Sequence, residues 1–335
     1  MSVNLNITSA TKTLLKRALY FALIVLTSAS ASATVSNHVG GCTELLHSNL
    51  VVTGAPWAPE NVLEIVSEKV EINVASDLTA VVNSVRKRSL PNAHYAQTHP
   101  EKAYVEIVKI GGLKHSYIAV FNHYTYMNWA LGRISTFQTQ GRIISDKNLI
   151  RKDSPVQSFG GHDISADVIR DFSRAFLEAR RQSGPQEIVD PAFDSPKLHV
   201  ELEFWQNVVV PLVENDPSAV LIAVGLNYRP GKVLSHEILH AFFYETPELQ
   251  KKVAQFWNEE VSVNDRRQYL EVLNREKYDL SNHKQVINEF LAYTLEGGPA
   301  VIFPPALIKR YRARLREYLK SAGLDVPALA SELTR

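Results

Sequence analysis

Apolar and polar residues alternate along 102–110, Lys-Ala-Tyr-Val-Glu-Ile-Val-Lys-Ile, with the two-residue period of a half-buried strand. Gly111-Gly112 turns the chain into a second such run, Ser116 to Tyr124, so the pattern predicts a hairpin. Shorter strand-like pieces follow around Ile134–Thr139 and Arg142–Ile144. Upstream, residues 34–60 carry Gly40, Gly41, Gly54, Pro56 and Pro59 and read as an irregular lead-in. Val62 to Arg88 has mixed periodicity, predicting a strand and a helix closed by Pro91.

From about residue 163 the period lengthens to that of helices. Asp163–Gln182 keeps Ile164, Val168, Phe172, Ala175, Phe176 and Ala179 on one face. Ser195-Pro196 opens a long helix through Trp205 to Val213, which Pro211 kinks or ends. Ala219 to Leu226, bounded by Pro217 and Pro230, predicts a short buried or edge strand. Thr246-Pro247 to about Lys277 reads as two helices broken near Ser262–Asp265. A further helix, Lys284 to Leu295, stops at Gly297-Gly298-Pro299. These elements predict an α+β fold: a small mixed or antiparallel sheet followed by a mostly helical C-terminal part. One domain over 101–335 is expected, with 34–100 as a lead-in or small subdomain.

Composition narrows the class. Hydrophobic residues make up 45% and charged residues 21%, ordinary for a globular core, and the formal net charge of +1 favours no nucleic acid. The basic run Lys309, Arg310, Arg312, Arg314 and Arg316 is interleaved with Leu307, Ile308, Tyr311, Leu315 and Leu319. That spacing predicts an amphipathic helix with a solvated basic face. Residues 1–33 have the form of a secretory signal: Lys12, Lys16 and Arg17, then the apolar run Ala18 to Leu26, then Ala31-Ser32-Ala33 as a cleavage site. The apolar run is too short to anchor the chain in a bilayer, so a periplasmic or secreted product without a stable membrane anchor is expected. Cys42 is the single cysteine, which excludes an internal disulfide framework. It lies too far past the apolar run for lipoprotein processing to be the expectation.

The candidate chemistry sits in His236-Glu237-Ile238-Leu239-His240. Histidines at i and i+4 share one helical face, so two imidazoles reach one metal ion. Glu237 lies beside that ion, placed to take a proton from a zinc-activated water. Val233, Leu234, Ile238, Leu239, Phe242 and Phe243 surround the trio. Burying three such polar groups without partners costs several kcal/mol, roughly, and a metal removes that cost.

A catalytic zinc needs a third protein ligand and an open position. The metzincin extension is excluded, because its glycine and histidine positions hold Phe243 and Thr246. Asn288-Glu289-Phe290-Leu291-Ala292-Tyr293 instead resembles the second-helix motif of gluzincin zinc metallopeptidases. The spacer of 49 positions between His240 and Glu289 looks more like the lethal-factor-like metallopeptidases than the thermolysin-like ones. The resemblance covers roughly residues 219–298 and implies a zincin-like catalytic domain. It carries His236, His240 and Glu289 over as ligands of one zinc ion and Glu237 as general base.

Two positions depart from the family pattern. Thermolysin-like enzymes hold a histidine-orienting aspartate where this chain has Tyr293, whose hydroxyl is a candidate substitute beside a plain packing role. For the oxyanion, Tyr278 and His283 are the candidate stabilisers, and Asp279 and His283 compete with Glu289 as ligand. His199 and Glu201 have surface-like spacing and carry no weight. The expected activity is hydrolysis of a peptide or protein substrate, laid along 219–227 as an edge strand. The alternatives are a zinc hydrolase of small or cell-wall peptides and a non-catalytic zinc-binding protein.

Overall fold

The computed structural model describes residues 63–73, 103–151, 153–183, 195–296, 302–324 and 326. The signal-like segment, Cys42, residues 34–60 and the helix expected before Arg88 lie outside them. The described chain is mixed α+β. The described residues of 62–169 and 195–335 belong to one compact unit, and Arg170–Ser183 falls outside it.

Five strands build one mixed sheet in the order β1-β2-β3-β5-β4. They are β1 (Leu63–Asn73), β2 (Ala103–Gly111), β3 (Ser116–Phe121), β4 (Gly161–Ser165) and β5 (Val220–Gly225). The predicted hairpin is β2–β3, antiparallel, and Gly112 supplies the positive φ its turn requires. β1 runs parallel to β2, so its part of the expected lead-in belongs to the main sheet. β5 is buried at every position and lies between β3 and β4. The expectation of an edge strand at 219–227 is therefore corrected: among the described residues, the exposed edge beside β5 belongs to β4. All-apolar Val220–Val224 suits a strand covered on both faces, which the sequence run alone does not separate from an edge.

Two further corrections concern segments rich in aromatic and β-branched residues. The strand pieces at 134–139 and 142–144 do not form; Tyr124–Gln140 is a helix, α1, with α2 (Asp146–Ile150) after it. Met127, Leu131 and Ile134 bury one helical stripe, and Thr136 and Thr139 donate back to the carbonyls of Gly132 and Ser135 at 2.7 and 2.8 Å. His123 caps the start, and Gly141 at φ 65° closes the end. The helix expected from Asp163 begins later, as α3 (Ala166–Ser183), because Gly161–Ser165 pairs with β5. Here tertiary pairing overrides the local helical period.

The next helix, α4 (Pro196–Phe204), passes through a π-helical turn at Trp205–Val209 into α5 (Val210–Asn215). Pro211 sits just beyond that wide turn, where the missing N–H is absorbed without ending the helix. Five helices complete the fold: α6 (Pro230–Glu245), α7 (Pro247–Glu259), α8 (Val263–Arg275), α9 (His283–Leu295) and α10 (Pro305–Ser321). Leu234, Ile238 and Leu239 of α6 share one core with Ile222 and Val224 of β5 and with Phe290 and Leu291 of α9. Each such buried side chain contributes about 1.5–3 kcal/mol. The far end of α6 is tied to the hairpin as well: Glu245 accepts from the backbone N–H groups of Lys114 and His115 at 2.6 and 2.8 Å. In α10 the basic run faces outward as expected, over buried Leu307, Tyr311 and Leu315. No helix among the described residues is long and apolar enough to cross a membrane.

Candidate metal centre

Helices α6 and α9 bring the motif residues together. Pro230 starts α6 at a φ that proline already holds, and Asn282 caps α9 by accepting from the Gln285 N–H at 3.2 Å. Packing of the two helices then points His236 and His240 at Glu289. His236 Nε2 lies 3.5 Å and His240 Nε2 3.8 Å from the same Glu289 Oε2. Donors about 2.1 Å from a tetrahedral zinc stand roughly 3.4 Å from one another, so this spacing fits one ion. Glu289 Oε2 is buried and accepts no hydrogen bond, which leaves a carboxylate oxygen aimed between two imidazoles. These three residues form a group able to hold a metal ion.

Each histidine meets a second acid. His236 Nδ1 lies 2.9 Å from Glu296 Oε2, so that nitrogen donates and Nε2 is left as the lone-pair donor to a metal. Glu296 is seven residues beyond Glu289, two turns along the same face, and reaches past Tyr293. Tyr293 itself packs on the His236 ring, with centroids 4.4 Å apart. Of the two roles weighed for Tyr293, the ring packing is seen, and the carboxylate that meets His236 Nδ1 is that of Glu296. Lys232 Nζ stands 3.7 Å from the other Glu296 oxygen. For His240, Nδ1 lies 3.9 Å from Asp163 Oδ2 on β4. The Tyr244 hydroxyl donates to Asp163 at 3.2 Å and the Asn288 amide at 3.4 Å.

The electrostatics reflect crowded acids. Burial raises the pKa of Glu237 well above the usual carboxylate range; Asp163, Glu289 and Glu296 add to it and His236 opposes. Asp163 is raised by burial too. Burial opposes charge on His236, yet Glu289 and Glu296 outweigh it and hold the ring's pKa well above its ordinary value. Burial works against an ionised Glu289, and the two histidines overcome it, lowering its pKa.

A cavity of about 200 Å³ opens over this centre, lined among others by Gly161, Glu237, Tyr278 and Tyr293. Gly161 is required there: a Cβ would come within 2.4 Å of Glu237 Oε1. Tyr278 lines the same cavity as Glu289. His283 does not join it. At the first position of α9 it is exposed and is not among the residues that line the cavity. Asp279 also turns away, accepting from the Ser281 N–H and hydroxyl at 2.9 and 2.6 Å. Of the residues singled out in the sequence, His236, Glu237, His240, Tyr278, Glu289 and Tyr293 meet around the one cavity. Sequence reasoning missed Glu296, whose two-turn offset from Glu289 was readable but was masked by the Gly-Gly-Pro stop. It also missed Asp163, which only sheet pairing brings near.

Compared with protein families, with characterised proteins and with solved structures, the chain finds no match.

Proposed function

We propose that this chain is an exported zinc-dependent peptidase with a zincin-like catalytic centre. The observation that carries the reading is the convergence of the His236 and His240 Nε2 atoms on one unpartnered oxygen of buried Glu289. In that arrangement His236, His240 and Glu289 hold the ion, Glu296 orients His236, and Asp163 faces the outer nitrogen of His240. When bound, zinc supplies Lewis acidity to a water and to the scissile carbonyl.

The remaining work belongs to the protein. Glu237 takes the proton of the attacking water and returns it to the leaving amine, and its burial keeps it a strong enough base for that exchange. Tyr278, held neutral because burial raises its pKa well above the ordinary value, donates its hydroxyl to the developing oxyanion. An extended peptide lies antiparallel along β4, where Gly161 lets the Glu237 carboxylate lie directly against the strand. The exposed edge beside the centre thus takes the role expected earlier of 219–227.

The test is Glu237→Gln in the full chain. The variant retains about one zinc per chain while losing nearly all cleavage of a mixed-peptide substrate, and chelation abolishes cleavage by the parent protein. Undiminished cleavage by Glu237→Gln removes Glu237 from the mechanism and with it this reading.

A further inference from the structure

A row of aromatic rings leads out of the cavity. Tyr228 lines the cavity mouth and is 45% exposed. Its ring meets Tyr124 at 5.7 Å between centroids, with planes tilted 37°. Tyr124 stacks on His123 at 5.3 Å and 29°, and buried Tyr126 backs His123 edge-on at 6.0 Å. Burial lowers the pKa of His123 below its ordinary value.

The row is fixed from beneath. Asn227 Oδ1 accepts from the Tyr124 N–H at 2.7 Å, and His123 Nδ1 caps α1 by accepting from the Thr125 N–H at 3.1 Å. Gly225, at the end of β5, touches the Tyr124 backbone so closely that a Cβ would fall 2.4 Å from Tyr124 Cα. A Cβ on Gly160 would stand 3.2 Å from the Tyr228 ring. Arg229, directly after Tyr228, adopts the left-handed region at φ 42° immediately before Pro230. A non-glycine residue in that region is strained, and this strained position lies directly between the exposed tyrosine and the start of α6. Closely packed, partly exposed rings are an arrangement that a partner ring completes.

We infer that Tyr124 and Tyr228 form a subsite for an aromatic side chain of a peptide substrate, on the C-terminal side of the cut. Direction follows from β4. A peptide antiparallel to Gly161–Ser165 passes Ser165 first and Gly161 last, so its C-terminal part leaves past Gly160 toward Tyr228. The occupant is an aromatic side chain, because the exposed Tyr228 ring and the Tyr124 ring tilted against it offer ring surface that a third ring packs on. The inference rests on the peptidase reading for its direction and substrate class, and its test does not depend on turnover.

The probe is a set of fluorescein-labelled glycine-rich hexapeptides carrying one phenylalanine or one alanine at successive positions. They are titrated by anisotropy against the full-length Glu237→Gln protein in zinc buffer. Phenylalanine at one position tightens binding about tenfold over alanine. Tyr124→Ala combined with Tyr228→Ala removes that difference, and Tyr228→Phe, which keeps the ring, retains it. Equal binding of the phenylalanine and alanine series, or a preference that survives the double alanine variant, overturns the subsite. The parent protein's cleavage of mixed peptides is read separately. Preferential binding without cleavage leaves the subsite standing and removes the peptidase reading, whereas cleavage without preference does the reverse.

Discussion

Two buried charge clusters in this protein are built on opposite principles. In the first, Arg133 of α1 forks onto Glu201 of α4, its Nε and Nη2 reaching the two carboxylate oxygens at 2.9 and 2.5 Å. Its Nη1 serves Asp146 at 2.6 Å and the Ile144 carbonyl at 3.3 Å. Both Arg133 and Glu201 are 2% exposed, yet donors and acceptors are matched there. In the second cluster, Asp163, Glu237, Glu289 and Glu296 crowd around His236 and His240. His240 Nδ1, Glu289 Oε2 and Glu296 Oε1 are left without hydrogen bonds. A closed ion pair explains itself as structure. An acid-rich cluster with orphaned lone pairs is short of positive charge, and a divalent cation would supply it.

The contrast breaks most sharply at Glu289. Glu289→Ala lowers zinc affinity by roughly three orders of magnitude, one ligand's share of the about 10–16 kcal/mol that such ions contribute. Titration against a chelator of known affinity measures it. In excess chelator the same variant unfolds within about 1 kcal/mol of the parent, since a surplus acid rather than a matched partner is lost.

Glu201→Ala shows the reverse behaviour. It leaves Arg133 buried with one partner fewer and costs about 3–5 kcal/mol in denaturant unfolding, with zinc affinity unchanged at low temperature. Replacing the pair together, Arg133→Met with Glu201→Leu, recovers most of that loss. Failure to recover it would mean that the pair is doing more than satisfying itself.

A third expectation concerns His162 on β4, whose Nδ1 lies 2.6 Å from the Ser135 hydroxyl and whose Nε2 is buried without a partner. Burial lowers its pKa to about 3. The unfolded chain therefore binds a proton below about pH 6.5 that the folded chain refuses. The stability due to neutral His162 is complete above that pH and is lost as pH falls toward 3, about 3 kcal/mol of it between pH 7 and pH 4. His162→Gln flattens this limb of the stability–pH curve by one proton; an unchanged slope assigns the acid sensitivity elsewhere.

The smallest effect is at Glu296. Glu296→Gln keeps a group that accepts from His236 and loses the charge, lowering zinc affinity about 10–100-fold. Isothermal titration in zinc buffer resolves that change from the larger one at Glu289.

Legibility from sequence followed the same divide. Helices α6, α7, α8 and α9 were readable because their apolar stripes, caps and Gly-Pro stops agree with the packing they adopt. His236, Glu237 and His240 were readable because their chemistry is local: two histidines four positions apart on one helical face, with the glutamate beside them. Asp163 was not, since its proximity to His240 depends on five residues pairing with β5 against a helical period. The α1 segment misled for a related reason. Its tyrosines, threonines and Ile134 favour strands locally, and only the buried stripe with its two back-bonded threonines makes it a helix. The edge role passed from 219–227 to β4 because an all-apolar run reports burial and not position in a sheet.

One measurement addresses the central claim directly: diffraction from crystals of the zinc-loaded protein on both sides of the zinc absorption edge. The account predicts a single anomalous peak within about 2.0–2.2 Å of His236 Nε2, His240 Nε2 and a Glu289 oxygen. Absence of a peak there, or a peak held by other side chains with Glu289 turned aside, contradicts it.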